Sequence, residues 1–348
     1  MSADLTRLES LVEMFQRQRI VVLGDFVVDR FVSGEISRVS REAPVLILRH
    51  RETEILPGGG ANAVNNLASL GAKVHPVGVV GDDESGRALL DYFLEKRVDT
   101  TAILRVPGRI TPTKTRYLAG WTHKAGQQVL RVDHEPGEPL ATNIQRKLAA
   151  KAAQLMRKGG ALLVSDYGFG TASPTTVGWA RKGARSKLVA TLDSRYSLEE
   201  YRGSGLTAAT PNESELEALY HTRIGNDAAK LERVGKSTLR MLGLEALLMT
   251  RGSDGMVLFE RGKPPTAIPI YGSDEAADVT GAGDTVIAVF TMALAAGANF
   301  YEAAILANYA GGIVVMKRGT ATVTKAELSE ALRREATGTA TASFSKTK

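Results

Sequence analysis

The 348-residue chain contains no cysteine. Disulfides, thiol nucleophiles, Fe–S clusters and cysteine-rich zinc sites are therefore excluded. Histidine is sparse as well. The five residues His50, His75, His123, His134 and His221 are scattered with no i, i+4 pair, so a structural metal is not expected. No apolar run approaches the roughly 18 residues that would read as a membrane span. Like charges never gather into a block of the kind that marks an interaction tail. The net charge of +6, from 44 basic and 38 acidic residues, suits a protein that handles anionic small molecules. The basic stripe or aromatic platform of a nucleic-acid binder is missing. Neither nucleic acid nor membrane is an expected partner. Residues 1–18 are charged throughout and place Leu5, Leu8, Leu11, Val12 and Phe15 on one helical face. They lack the apolar core of a signal peptide, so a cytoplasmic protein is expected.

What is present centres on Asp278-Val279-Thr280-Gly281-Ala282-Gly283-Asp284-Thr285, followed by the apolar run from Val286 to Gly297. The run reads as a mostly buried helix. The two glycines let the backbone turn sharply and present consecutive N–H groups at the helix N-terminus, where the macrodipole favours an anion. Asp284 falls in the first turn of that helix. A carboxylate beside a bound phosphate is costly unless it accepts a proton, so the stretch reads as a phosphoryl-transfer site with its own base. Taken alone, the same residues also describe a helix start with Asp as its cap.

The rest of the chain alternates strands and helices. Strands are expected at Arg19 to Gly24, Val45 to Leu48, Lys73 to Val80, Thr101 to Val106, Ala161 to Ser165, Leu188 to Leu192, Leu206 to Ala209, Ala246 to Thr250 and Met256 to Glu260. Helices are expected between them, so the fold class is α/β, with a doubly wound, mainly parallel central sheet flanked by helices. Asp25, Asp29, Asp166 and Asp193 then fall at the carboxyl edge of the sheet, where ligands gather. Pro57-Gly58-Gly59-Gly60-Ala61-Asn62 reads as a flexible turn into a helix. Residues 112–133 break the rhythm with two alternating, charged strands that could form a small separate sheet together with Val45 to Arg51. Residues 1–336 are expected to form one domain. The Thr/Ala/Ser/Lys-rich tail 337–348 is expected to be disordered. There is no internal repeat.

Several phosphate-binding signatures are absent: Gly-x-x-x-x-Gly-Lys-Ser/Thr, a Gly-x-Gly-x-x-Gly after the first strand, and the His-Arg-Asp and Asp-Phe-Gly pair. Two glycine-rich loops, an early one ending in Asn62 and a late one ending in Asp284, instead resemble the ribokinase-like (PfkB) carbohydrate kinases. Gly58-Gly59-Gly60-Ala61-Asn62 looks like their sugar-binding motif, and Asp278 to Asp284 like their anion-hole and catalytic motif. Asn212-Glu213-Ser214-Glu215 matches their Asn-x-x-Glu, and Thr250-Arg251-Gly252-Ser253-Asp254-Gly255 resembles their Thr-x-Gly-x-x-Gly. The resemblance runs from about Arg19 to Leu332. Within the family the similarity is closer to kinases of heptose 7-phosphate, through Gly24 to Phe31, Arg38 to Pro44 and Ser165-Asp166-Tyr167. Arg41 and Phe169 depart from their pattern, standing where Pro and Lys are usual. The His-x-Gly-His signature of the nucleotidyltransferase that follows the kinase in many relatives is missing, so only the kinase half is expected.

The resemblance implies ATP and Mg²⁺ as cofactors and leaves a K⁺ requirement open. It implies Asp284 as base, with the N–H groups of Gly281, Ala282 and Gly283 on the transferring phosphoryl group. Asn212 and Glu215 would hold Mg²⁺ through water. Thr250, Gly252, Gly255, Asp278, Thr280 and Asn308 would border the nucleotide. Asp29, Asn62 and Asp166 would meet sugar hydroxyls, with Gly58 and Gly59 letting the backbone approach. Lys114, Arg116, Arg131 and Arg38 would face a phosphate already on the sugar. As single residues, Asp29, Asn62 and Asp166 can also be read as turn or capping residues, and the cations as a solvated strand face. A lid drawn from about residues 31–56 and 110–134, able to pair in a homodimer, belongs to the same resemblance. The expected reaction transfers the γ-phosphate of ATP to O1 of D-glycero-beta-D-manno-heptose 7-phosphate. A kinase of another sugar, or a non-catalytic sugar or nucleotide sensor, is the competing reading.

Overall fold

The computed structural model describes residues 4–120, 127–184, 188–272, 277–317 and 319–336. The expected disordered tail and most of the turn at 119–126 lie outside them. The chain opens with α1 (Leu5–Glu13), whose first N–H groups are capped by Asp4 and whose Leu8, Leu11 and Val12 are buried. A short turn then leads into β1 (Arg19–Gly24), an apolar interior strand of a nine-stranded sheet.

Instead of a helix, β2 (Phe26–Val39) follows immediately and pairs antiparallel with β3 (Leu46–Gly59). The expected turn at Pro57 to Asn62 is absent. β3 runs without interruption into α2 (Gly60–Ser69). Close approach explains the glycines better than flexibility does. A Cβ on Gly58 would lie 2.5 Å from Asp29 Oδ2, and one on Gly60 3.0 Å from the Asp25 carbonyl.

The α/β alternation continues through β4 (Lys73–Gly81), α3 (Glu84–Glu95) and β5 (Ile103–Val106). Then β6 (Thr113–Gly120) and β7 (Gln127–His134) join β2 and β3 in a separate four-stranded sheet of order β3-β2-β6-β7. Next come α4 (Thr142–Met156), β8 (Ala161–Asp166), α5 (Pro174–Lys182), β9 (Ala190–Ser194), β10 (Ala208–Ala209), α6 (Glu213–Leu219), α7 (Ala228–Leu242) and β11 (Ala246–Thr250). An antiparallel edge follows, β12 (Met256–Glu260) and β13 (Thr266–Ile268), the latter without an obvious signal in the sequence. Three helices close the fold: α8 (Ala282–Ala295), α9 (Phe300–Val315) and α10 (Lys325–Ala336).

The large sheet has the order β13-β12-β11-β10-β9-β8-β1-β4-β5, and its strands from β11 to β5 are parallel. The two-residue period of a strand sends neighbouring side chains to opposite faces. Ile20, Val22 and Leu163 thus pack with α1, α2, α8 and α9, while Val21, Leu23, Leu162 and Val164 pack with α4, α5 and α7. Both faces are covered, which is why these strands are near-continuously apolar. The N-terminus of α8 meets this sheet at its carboxyl edge, where β8 ends at Asp166 and β9 carries Asp193.

Two glycines test the packing in opposite directions. A Cβ on Gly78 in β4 would sit 2.4 Å from the buried Phe26 ring. Gly78→Ala is expected to cost about 1–3 kcal/mol through overpacking. Gly178 in α5 has nothing among the described residues within 4 Å of its would-be Cβ, so Gly178→Ala should stabilise by up to about 1 kcal/mol. Urea denaturation midpoints moving in opposite directions would bear out both assignments; a Gly78→Ala midpoint at or above wild type would contradict the first.

Candidate active site

Asp284 occupies the third helical position of α8, after the left-handed Gly281 (φ 77°). Its carboxylate is 3% exposed. Asn62 of α2 donates from Nδ2 to Oδ2 at 3.0 Å, and the Tyr167 hydroxyl donates to Oδ1 at 2.8 Å. Burial pushes its pKa up to about 7, against the two donors, which lower it. Asn62 is fixed in turn. Asn66 Nδ2 donates to its carbonyl (3.0 Å) and its Oδ1 (3.2 Å), and Thr285 Oγ1 donates to Asn66 Oδ1 at 3.1 Å. A Cβ on Gly281 would come within 2.4 Å of Asn62 Nδ2, so glycine is required there for approach as well as for backbone angle.

The first N–H groups of a helix have no partner inside it. In α8 the Ala282 N–H is turned back onto the Val279 carbonyl at 3.2 Å. Among the described residues, those of Gly281, Gly283 and Asp284 have no partner. Three N–H groups without a partner thus gather at the start of α8, and that of Ala282 is not among them. Asp278 ties the loop together, its carboxylate accepting from Thr280 N at 2.9 Å and Gly319 N at 3.0 Å.

Two cavities meet at this helix end. The smaller, about 260 Å³, is lined by Asp29, Gly59, Lys114, Arg116, Arg131 and Asp284, with Val27, Tyr167, Arg195, Val279, Thr280 and Gly281 completing the wall. Asp29 and Arg116 form an ion pair there. Lys114 stands 5.3 Å from the centre of the Tyr167 ring, and Arg131 is held by Asp133 at 2.6 Å. Burial, then the neighbouring Arg195, lower the Lys114 pKa. The larger cavity, about 840 Å³, is lined by Asp193, Arg195, Thr210, Asn212, Glu215, Thr250 and Gly283, among others. Asn212 and Glu215 make a reciprocal capping box at the start of α6, with bonds of 2.8 and 2.9 Å. The Asn-x-x-Glu spacing is thus satisfied by helix-cap chemistry while both side chains also face the cavity. Burial raises Glu215 to about 7 and raises Asp193 well above the usual carboxylate range.

Other expected contacts lie elsewhere. Asp166 is committed to Gly168 N, Ser194, Ser197 and the Tyr201 hydroxyl, and is absent from both cavity walls. It caps a strand end. Asn308 donates to the Pro269 carbonyl at 2.8 Å and holds that loop. Gly252 and Gly255 shape the turn between β11 and β12, where a Cβ on Gly255 would meet the Ile268 carbonyl at 2.3 Å. Arg38 stands near the far end of β2, about 30 Å along the strand from Asp29 at 3.3 Å per residue, and is exposed. It does not reach the cleft of its own chain. Gly58 sits behind Asp29, outside the wall that Gly59 joins.

Two residues carry more of the site than their sequence surroundings suggest: Tyr167 and Arg195. Tyr167 follows Asp166, and its N–H donates to the buried Asp25, as do those of Phe169 and Thr171. Phe169 is held through its main chain, its carbonyl also accepting from Arg109 at 2.6 Å. The Lys-to-Phe departure therefore leaves this loop's anchoring intact.

An acidic residue next to unpaired helix N–H groups, between one cavity lined by cations and another lined by carboxylates, defines a phosphoryl-transfer cleft. The comparisons with known proteins agree. Residues 17–327 match the pfkB family carbohydrate kinase. The chain belongs to this family of ATP-using phosphotransferases with an alcohol group as acceptor. It is 37% identical over 332 residues to the Bifunctional protein HldE of Trichlorobacter lovleyi, covering 95% of this chain and 66% of that one. It is 40% identical over 312 residues to the protein of the same name from Geobacter sulfurreducens, covering 88% and 61%. The chain thus spans somewhat less than two thirds of these relatives' length. Arabidopsis thaliana ribokinase, solved with ribose and ATP, superposes with a TM-score of 0.68 at 18% identity, covering 91% of this chain and 99% of that one. Phosphofructokinase-2 from Escherichia coli gives 0.73 at 16%, covering 91% and 98%. At such identities these two establish the ribokinase-like fold alone.

A raised carboxyl pKa has a thermodynamic signature. The folded value of about 7 exceeds the unfolded value of 3.8, so the stability tied to protonating Asp284 is greatest below pH 3.8 and is lost as pH rises to about 7. Asp284→Asn should therefore raise the melting temperature more at pH 8 than at pH 5. An equal shift at the two pH values would contradict the burial-driven pKa.

Proposed function

We propose that this chain transfers the γ-phosphoryl group of ATP to a hydroxyl of a phosphorylated sugar, with O1 of D-glycero-beta-D-manno-heptose 7-phosphate as the acceptor. The observation that carries the reading is the charge balance of the smaller cavity. Four cations line it; Arg116 is paired with Asp29 and Arg131 with Asp133, which leaves Lys114 and Arg195 against the one carboxylate of Asp284. A neutral sugar would leave that excess uncompensated, whereas a sugar phosphate supplies the missing anion. The HldE name of the relatives and the closer motif resemblance support the heptose.

In the reaction the acceptor oxygen forms a bond to the γ-phosphorus as its proton passes to Asp284. The bond from that phosphorus to the β–γ bridging oxygen breaks, and ADP leaves. A base with a pKa near neutrality suits this role, typically worth about 10²–10⁴-fold. The unpaired N–H groups of α8 would compensate charge on the transferring group.

The carboxylate-lined cavity also suits a nucleotide-borne Mg²⁺. Among the described residues no group of three or more His, Cys, Asp or Glu could hold a metal. Mg²⁺ usually keeps several waters and takes one or two carboxylates together with substrate phosphates. Glu215 and Asp193 fit that pattern, and the Thr210 hydroxyl is buried in the same wall with no partner among the described residues. Bound there, the ion would neutralise phosphate charge. A lid-to-lid homodimer belongs to this reading too, and exposed Leu46, Val129 and Leu130 on the small sheet would be its apolar contact.

ADP release with Mg-ATP across heptose 7-phosphate, fructose 6-phosphate, fructose 1-phosphate, ribose, fructose and adenosine tests the proposal. Turnover is expected on heptose 7-phosphate and is expected to disappear in Asp284→Asn. Turnover confined to an unphosphorylated acceptor would overturn the role given to Lys114 and Arg131. Tyr167→Phe removes a hydrogen bond to a charged group, worth roughly 1.5–3 kcal/mol, and so raises the base's pKa. The acid limb of kcat/KM should move up by about one pH unit or more, with activity at pH 6 falling further than at pH 9. An unmoved acid limb would remove Tyr167 from this role.

A further inference from the structure

The walls of the two cavities share three residues: Tyr167, Val279 and Arg195. Arg195 is the one cation among them. Because Gly283 belongs to the larger wall and Gly281 to the smaller, the N-terminus of α8 borders both. A group that passes from one cavity to the other at that helix end passes Arg195.

The other cations of the smaller cavity already have partners. Arg116 pairs with Asp29, Arg131 with Asp133, and Lys114 stands over the Tyr167 ring. The Arg195 guanidinium makes no ion pair or hydrogen bond among the described residues; it stands 5.6 Å from the centre of the Tyr196 ring. Its backbone, by contrast, is fixed. The Arg195 N–H donates to the Asp166 carbonyl at 3.1 Å, and the Asp166 carboxylate is itself held by Ser194, Ser197 and Tyr201. The result is an uncommitted planar fork of donors on a rigid mount, the geometry that suits bidentate phosphate recognition. Arg195 also opposes the raised pKa of both Asp193 and Glu215, which places its charge beside the nucleotide wall as well as the acceptor wall.

We propose that Arg195 is a catalytic residue that holds the γ-phosphoryl group at the junction of the two cavities and keeps that contact as the group changes partners. The proposal rests on the kinase reading for its assignment of the larger cavity to the nucleotide. Arg195 takes part in no bond making or breaking. It remains protonated and compensates charge on the phosphoryl oxygens while Asp284 takes the proton. Its contact is with the γ-phosphoryl group, so a nucleotide lacking that group should not register its loss.

Calorimetric titration of the full chain with Mg-ADP and with the non-hydrolysable Mg-AMP-PNP, without acceptor, tests this. In Arg195→Gln, AMP-PNP affinity should fall roughly ten- to a hundred-fold, the loss of a charge-assisted hydrogen bond, while ADP affinity holds. Retained ADP binding also shows that the variant is folded. Arg195→Lys, which keeps the charge but loses the fork, should fall between Gln and wild type. Equal weakening of both nucleotides would overturn the proposal, making Arg195 a general counter-charge to Asp193 and Glu215. Unchanged affinity for both would overturn it too. Wild type that binds neither nucleotide would overturn the kinase reading beneath it, an outcome distinct from either.

Discussion

A single buried carboxylate organises the centre of this molecule. Asp284 is held between Asn62 and Tyr167, joining segments 222 and 117 residues away in sequence. Removing a carboxylate from water is expensive, and hydrogen-bond donors recover only part of that cost. The balance here leaves the group with a pKa of about 7, poised between holding and releasing a proton. Much of the surrounding sequence serves that balance. Asn66 and Thr285 orient Asn62, Gly281 leaves room for its amide, and a Cβ on Gly59 would crowd the Tyr167 ring at 3.2 Å.

Carboxylates of the same type along the same sheet edge do different work because their partners differ. Asp25 accepts three backbone N–H groups from the loop after β8 and so shapes the segment that carries Tyr167. Burial and the nearby Asp166 still raise it to about 6. Asp166 is satisfied by hydroxyls and a main-chain N–H. Asp193 and Glu215 face the larger cavity, and their raised pKa values mark a place where a cation would be welcome. Position on the edge alone does not separate acids committed to hydrogen bonds from those left facing a cavity. A count of satisfied lone pairs does.

That distinction also explains how much the sequence could reveal. The buried helix after Gly-Ala-Gly-Asp, the alternating strands and the small charged sheet announce themselves through periodicity, which is local. Gly58 and Gly59 mislead because a glycine cluster looks the same whether it serves a turn or a close approach, and only the neighbouring Asp29 and Tyr167 decide between them. Arg38 seems close to Asp29 in sequence, yet an extended β2 carries it away at the full rise of a strand. Arg195 has no spacing signature at all. Its position is set by the pairing of β8 with β9 and by the Asp166 network, which are tertiary facts.

The two halves of the cleft have separate origins. Asp193, Asn212, Glu215 and Thr250 come from the central sheet and α6, whereas Lys114, Arg116 and Arg131 come from β6 and β7 of the small sheet. Asp29 stands where the two meet, on β2 close to Asp25. Asp284 and Gly281 line the smaller cavity and Gly283 the larger, so the N-terminus of α8 borders both. On the proposed reading, side chains on β6 and β7 could change with the acceptor while the N-terminus of α8 stays the same. On that reading phosphoryl transfer is legible from motifs, and the acceptor is left to the charges of one small sheet.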